Sequence, residues 1–428
     1  MSTKDYLTGF HNEHRTEALP GALPEGQNAP QTLKYGLYAE QLSGTAFTVP
    51  RARNLRSWLY RIQPSVVHGP YEPYKAHGLD LTLQDPMSPH PLRFSPFPYP
   101  SAACDFIDGL TPIAETGPKG NPHATLYFYF ITHSMTDRYF YNAEGEFLFI
   151  LQEGALQFNT EFGILKASPS EIVVIPRGVK FQVQLQGGKA RGYLCENKRV
   201  PFTLPDLGLI GANGLANARD FEFPQAHFED KNGTYNLICK FQNHLWQSCF
   251  NYNPCNVVAW HGNYAPYRYD LKRFNTINTV SFDHPDPSIF TVLTSPSDTQ
   301  GIANIDFVIF PERWMVAEHT FRSPYYHRNV MSECMGLIYG QYDAKRAGFE
   351  PGGLSIHNGM IPHGPDAATF RAASMQKLTP ERYQDTLAFM LESNAHWQVT
   401  QSAFQSPQRQ QDYLDCWQGL QSHFKKHS

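Results

Sequence analysis

Short apolar runs, several alternating strictly with polar side chains, follow one another through the middle of the chain. TLYFYFITHS, EFLFILQEG, ALQFNTEFG, EIVVIP and KFQVQLQGG are each closed by turn-forming residues. A period of two puts one face of a strand on a core, and regular turns between such runs predict an antiparallel sandwich or barrel over about 125–195. RSWLYRIQPSVV alternates in the same way after an irregular, turn-rich start that includes ALPGALPEGQNAPQ. ECMGLIYGQY, from Glu333 to Tyr342, predicts a further strand. LPDLGLIGANGLANARDF has no helical period yet is too apolar for a free linker, so it is expected to pack on a barrel. Beyond residue 370, SMQKLTPERYQDTLAFMLES and DYLDCWQGLQSHFKK carry apolar residues at helical spacing. Two C-terminal helices are expected there, covering the barrel or a neighbouring subunit.

Composition narrows the class. The 428 residues are 41% hydrophobic, 17% charged and 14% aromatic, with a formal charge of -4, which suits a globular, strand-rich chain and excludes a basic field for nucleic acid. Seven cysteines, an odd number with no repeated short spacing, are expected as reduced thiols of a cytoplasmic protein. No run approaches membrane-spanning length. His11 and His14 lack a third ligand nearby and are expected at the surface.

Candidate chemistry concentrates between His327 and Phe370, which holds His327, Glu333, Tyr342, His357 and His363. Two imidazoles and one carboxylate on one face of a metal suit iron(II) and its oxygen chemistry, with zinc and manganese as alternatives. His327, Glu333 and His363 are the expected ligands. On one strand His327 and Glu333 would lie about 20 Å apart, and on one helix they would diverge. A strand ending near His327, a turn through Asn329–Ser332 and a new strand from Glu333 brings them together. Cys334 then points the other way, as packing. In DHPDPS, two prolines fix the backbone beside His284, which suits either a turn residue bonded to neighbouring backbone or an aimed general base.

The pattern from His327 to Gly340 resembles the first motif of the cupin barrels, H-x-H-x3-E-x6-G, with Asn329 at the second histidine. The second motif is present only in altered form, with His363 inside the turn of Pro362 and Gly364. In the first half, Gly154 takes the motif glycine and Phe147 the glutamate position. Phe140 and Asn142 stand for the paired histidines, and Phe181 for the last one. The chain is therefore expected to be mainly β: a two-part cupin-like sandwich or jelly roll. Residues 1–280 would hold a ligand-less barrel, about 125–195, and residues 281–428 the iron-binding barrel and the terminal helices.

Longer collinear segments resemble one family within that class. YGLYAEQLSGTAFTVPR, WHGNYAPYRYDL, FNTINTVSFDHPDPSIFTVLTSPS, SPYYHRNVMSE and PHGPD are similar to the homogentisate 1,2-dioxygenase family, with a departure at FHNEHRTEA, where the family usually has FxNEFxSEA. The resemblance implies opening of the aromatic ring of homogentisate by O2 at Fe(2+), giving 4-maleylacetoacetate in tyrosine and phenylalanine breakdown. It implies iron on His327, Glu333 and His363, and His284 as the acid/base residue. It further implies that Tyr342 and His363 contact substrate, that His357 is a second active-site histidine, and that the oligomer is a hexamer of two trimers. A gentisate-cleaving cupin and a non-catalytic two-barrel binding protein are the competing expectations.

Overall fold

The alternating runs of the first half form two antiparallel-rich sheets that pack on each other. The computed structural model describes residues 6–76, 79–211, 214–342, 344 and 347–425. Among these, a nine-stranded sheet carries Glu146–Glu153 between Glu171–Ile175 and Ala190–Asn197. A seven-stranded sheet carries Leu156–Thr160, Phe181–Leu185 and Arg138–Asn142. Between them lies an aromatic core. Phe147 meets Phe140 at 5.8 Å and Phe181 at 6.4 Å, and Phe149 meets Phe158 at 4.8 Å. Counted back from Gly154 the imidazole positions would be Tyr141 and Ala143, yet Phe140 is the ring that turns inward. The first half thus has one residue more than the second between that position and its glycine.

The second half builds a six-stranded sheet in the order Thr291–Pro296, Ala303–Phe310, Leu387–Ser393, Ser332–Tyr339, Leu354–His357, Leu92–Phe94. Its last strand comes from early in the chain, and Trp397–Val399 returns to pair with Leu110–Thr116 of the nine-stranded sheet. The halves are also pinned side chain to backbone. The Tyr193 hydroxyl donates to the carbonyls of Gly353 (2.7 Å) and Leu337 (3.2 Å), and its ring packs on Phe389 at 4.8 Å. Gly336 sits in that contact, where a Cβ would come within 2.2 Å of the Phe389 ring.

The mainly β class holds, with few and short C-terminal helices. Ala367–Met375 is helical, its first turn capped by the Asp366 carboxylate accepting from Thr369 N–H at 2.7 Å. Further on, the expected helix through LAFMLES is instead the strand Leu387–Ser393, flanked on both sides in the sheet. Every residue from Leu387 to Leu391 is buried, so the run is continuously apolar and period cannot separate helix from strand. The last expected helix is reduced to a 3-10 turn, Tyr413–Trp417.

His14 corrects another expectation: it is buried, with its ring 4.3 Å from Phe223 and Nε2 bonded to the Gly9 carbonyl at 3.0 Å. It packs as an aromatic ring would. His11 is exposed, as expected. Leu204 and Leu207 pack on the core and Leu215 and Ala216 are buried, so the apolar connecting segment is docked. All seven cysteines are free thiols. Among the described residues no helix is long and apolar enough to cross a membrane.

Candidate metal centre

Two loops and one strand converge at the open side of the six-stranded sheet. His327 and His363 lie on neighbouring segments joined by a two-way backbone bridge, His327 N–H to the His363 carbonyl at 3.0 Å and the reverse at 3.2 Å. Glu333 enters on Ser332–Tyr339 after the turn at Asn329, whose side chain accepts from Met331 N–H at 3.1 Å. Alternation along the strand aims Glu333 and Met335 into one cavity and Cys334 into the core, where burial pushes its thiol well above the ordinary range.

The donor atoms of His327, Glu333 and His363 all lie within 4.8 Å of one another. Nε2 of His363 is 3.0 Å from one Glu333 oxygen and Nε2 of His327 is 3.4 Å from the other. Nδ1 of each ring meets a backbone carbonyl, Tyr325 at 2.8 Å and Ile361 at 2.9 Å. A carbonyl only accepts, so each Nδ1 carries a proton and each Nε2 is the nitrogen turned to the centre, the orientation by which metal-binding imidazoles are held. Burial alone would raise the Glu333 carboxyl, but the hydrogen bonds from His327 and His363 outweigh it and hold it well below the usual range. His327 is raised in turn, chiefly by its bond to Glu333.

Sequence reasoning missed a second carboxylate. Glu392, on Leu387–Ser393, stands directly across the ladder from Glu333, with Asp306 beyond it. Desolvation and then repulsion by Glu333 push the Glu392 carboxyl up to about 7, and Asp306 is raised by burial. Asn329, where cupins have their second histidine, donates its amide to Glu392. The signal was a lone acid ending an apolar run, unreadable while that run was taken for a helix. Among the described residues no Lys or Arg pairs with Glu333, Glu392 or Asp306. Such a surplus of negative charge in a buried place fits a divalent cation. The donor set of two imidazoles and a carboxylate fits first-row metals, iron(II) included.

The other expected residues surround this centre. His284, Tyr342, His327, Asn329, Glu333 and Glu392 all line one cavity of about 470 Å³, within the size range of small-molecule sites. Nδ1 of His284 donates to the Pro285 carbonyl at 3.0 Å. The turn reading of His284 holds, since it bonds neighbouring backbone, and the same side chain lines the cavity. Tyr342 is buried between Phe310 (5.6 Å) and Phe349 (6.1 Å). His357 does not line the cavity. It stacks flat on His363 at 4.3 Å, and its Nε2 lies 2.8 Å from the Tyr413 hydroxyl.

Fold and site together describe a mainly β protein in which two histidines and one carboxylate that could hold a metal ion lie beside a cavity of small-molecule size. Family models described as the N-terminal and C-terminal parts of homogentisate 1,2-dioxygenase match residues 5–271 and 272–424. Homogentisate 1,2-dioxygenases of Legionella pneumophila strains Corby and Lens are each 57% identical over 98% of this chain and 100% of their own length. The chain belongs to the homogentisate 1,2-dioxygenase family. Among solved structures, a cupin 2 conserved barrel domain protein from Leptotrichia buccalis aligns with 69% of this chain and 91% of its own at 8% identity and a TM-score of 0.29.

Proposed function

We propose that the chain opens the aromatic ring of homogentisate with O2 at a ferrous ion held by His327, Glu333 and His363, giving 4-maleylacetoacetate. The observation that carries the centre is the convergence of three donor atoms within 4.8 Å, beside Glu392 and Asp306, with which no Lys or Arg among the described residues pairs. Family membership carries the substrate. When bound, the ion supplies open coordination positions for the substrate and oxygen.

The protein's own groups bind, aim and move protons. His284, held by a turn with two prolines, presents Nε2 as the base for a substrate hydroxyl. Tyr342 is fixed by Phe310 and Phe349, so its hydroxyl can orient the ring without paying for reordering. His363 also contacts the substrate, and His357 acts through it, as the flat stack and the Tyr413 bond support. The working part is then residues 281–428, with 1–280 as scaffold. We also propose a cytoplasmic homo-oligomer, the hexamer of two trimers implied by resemblance. The free thiols support the location, and exposed Val280, Phe282, Trp314 and Val330 near the site support assembly.

Oxygen uptake by the iron(II)-loaded protein tests the reading: one O2 consumed per homogentisate, with little or no uptake on gentisate. No uptake with homogentisate rules it out. His284→Ala should keep its iron and slow turnover by about 10²- to 10⁴-fold; an unchanged rate removes His284 from the reaction.

A further inference from the structure

Among the described residues, the cavity beside the candidate metal centre is lined by three carboxylates, Asp286, Glu333 and Glu392, and by one permanent cation, Arg328. Asp286 is occupied by the Tyr325 hydroxyl at 2.9 Å, and Glu333 by two imidazoles. Arg328 is exposed, and among the described residues its guanidinium has neither a hydrogen bond nor an ion pair. Arg313, which borders another cavity with Tyr342, is engaged: its guanidinium bonds the Pro311 carbonyl at 3.0 Å and lies over the Tyr383 ring at 5.1 Å. Arg328 also borders a second cavity, of about 520 Å³, on the His363 side of His327. It thus stands at the rim of the centre, one residue from His327.

We propose that Arg328 binds the acetate carboxylate of the substrate and so selects arylacetates over neutral hydroquinones; this rests on the function proposed above. With the ferrous ion bound on Glu333, the acidic walls left to the rim are Asp286 and Glu392, and a guanidinium beside them gives an entering carboxylate a favourable partner at that end of the cavity. A guanidinium fork matches a carboxylate with two parallel N–H···O bonds, and at the rim it leaves the ring end of the molecule turned inward to the donor triad. A neutral ester of the same acid keeps the ring and loses the fork's partner.

The test compares anaerobic binding of homogentisate and its methyl ester by calorimetry, using the iron(II)-loaded protein. The wild type should prefer the acid by about 10- to 100-fold, the range for charge-assisted hydrogen bonds. In Arg328→Met the preference should vanish through weaker binding of the acid alone, while Arg328→Lys should restore part of it. Because the side chain is exposed, melting temperatures should stay level. Equal loss for acid and ester, or an undiminished preference, overturns the assignment. Absence of oxygen uptake by the wild type with homogentisate would instead sink the proposed function, so the two failures are distinguishable.

Discussion

Where the second half brings a carboxylate and two imidazoles to one point, the first half holds a stack of phenyl rings. The strands that carry these groups end alike. Gly154 and Gly340 have φ of 79° and 80°, and a Cβ on either would lie 2.2 Å or 2.1 Å from a backbone oxygen across the turn. Phe147 and Glu333 each sit seven residues before their glycine. The backbone geometry is thus common to both halves, and the side chains decide what each does. A buried carboxylate without a cation is costly, whereas Phe140, Phe147 and Phe181 fill the same kind of space with no charge to satisfy. A barrel that gives up its metal can replace it with apolar packing and become scaffold.

The contrast breaks most completely at His327. His327→Ala should abolish both metal binding and oxygen uptake while the first half stays folded; metal analysis finding one ion per chain would refute the ligand set. Its counterpart is Phe147→Ala. Emptying that ring position should cost about 3–5 kcal/mol of stability, read by denaturant unfolding, yet leave metal content unchanged. A loss of iron in this variant would mean that the scaffold half does more than support.

A smaller effect is expected at the seam. Gly336→Ala forces the Phe389 ring aside against Tyr193 and should cost about 1–3 kcal/mol, the range for overpacked cores. A neutral result would show that the seam is loose.

The smallest effect concerns a buried acid of the scaffold half. Burial raises the Glu146 carboxyl to about 7 from 4.5, against the bonds from Phe202 N–H and the Asn197 amide that lower it. The folded state then holds this proton more tightly than the unfolded chain, so stability falls as pH rises from about 4.5 to 7 and is level above. The total over that pH range is about 3 kcal/mol, and the change across any single pH unit is smaller, about 1 kcal/mol. Glu146→Gln should flatten that part of the profile; an unaltered slope would assign it to other groups.

The sequence alone was enough for the β class, the turns and the three side chains whose donor atoms converge, His327, Glu333 and His363. Alternating runs state which face is buried, and the five residues between His327 and Glu333 allow a strand–turn–strand route to one metal where a single strand or helix does not. Residue order could not reveal that LAFMLES lies flat in the site sheet, because a strand buried on both faces loses its period. Nor could it bring Glu392 beside Glu333, set Arg328 on the cavity rim, or bury His14 against Phe223. Each of these depends on which distant strands become neighbours, and pairing of that kind is decided by the packing of whole sheets, in which local pattern has no say.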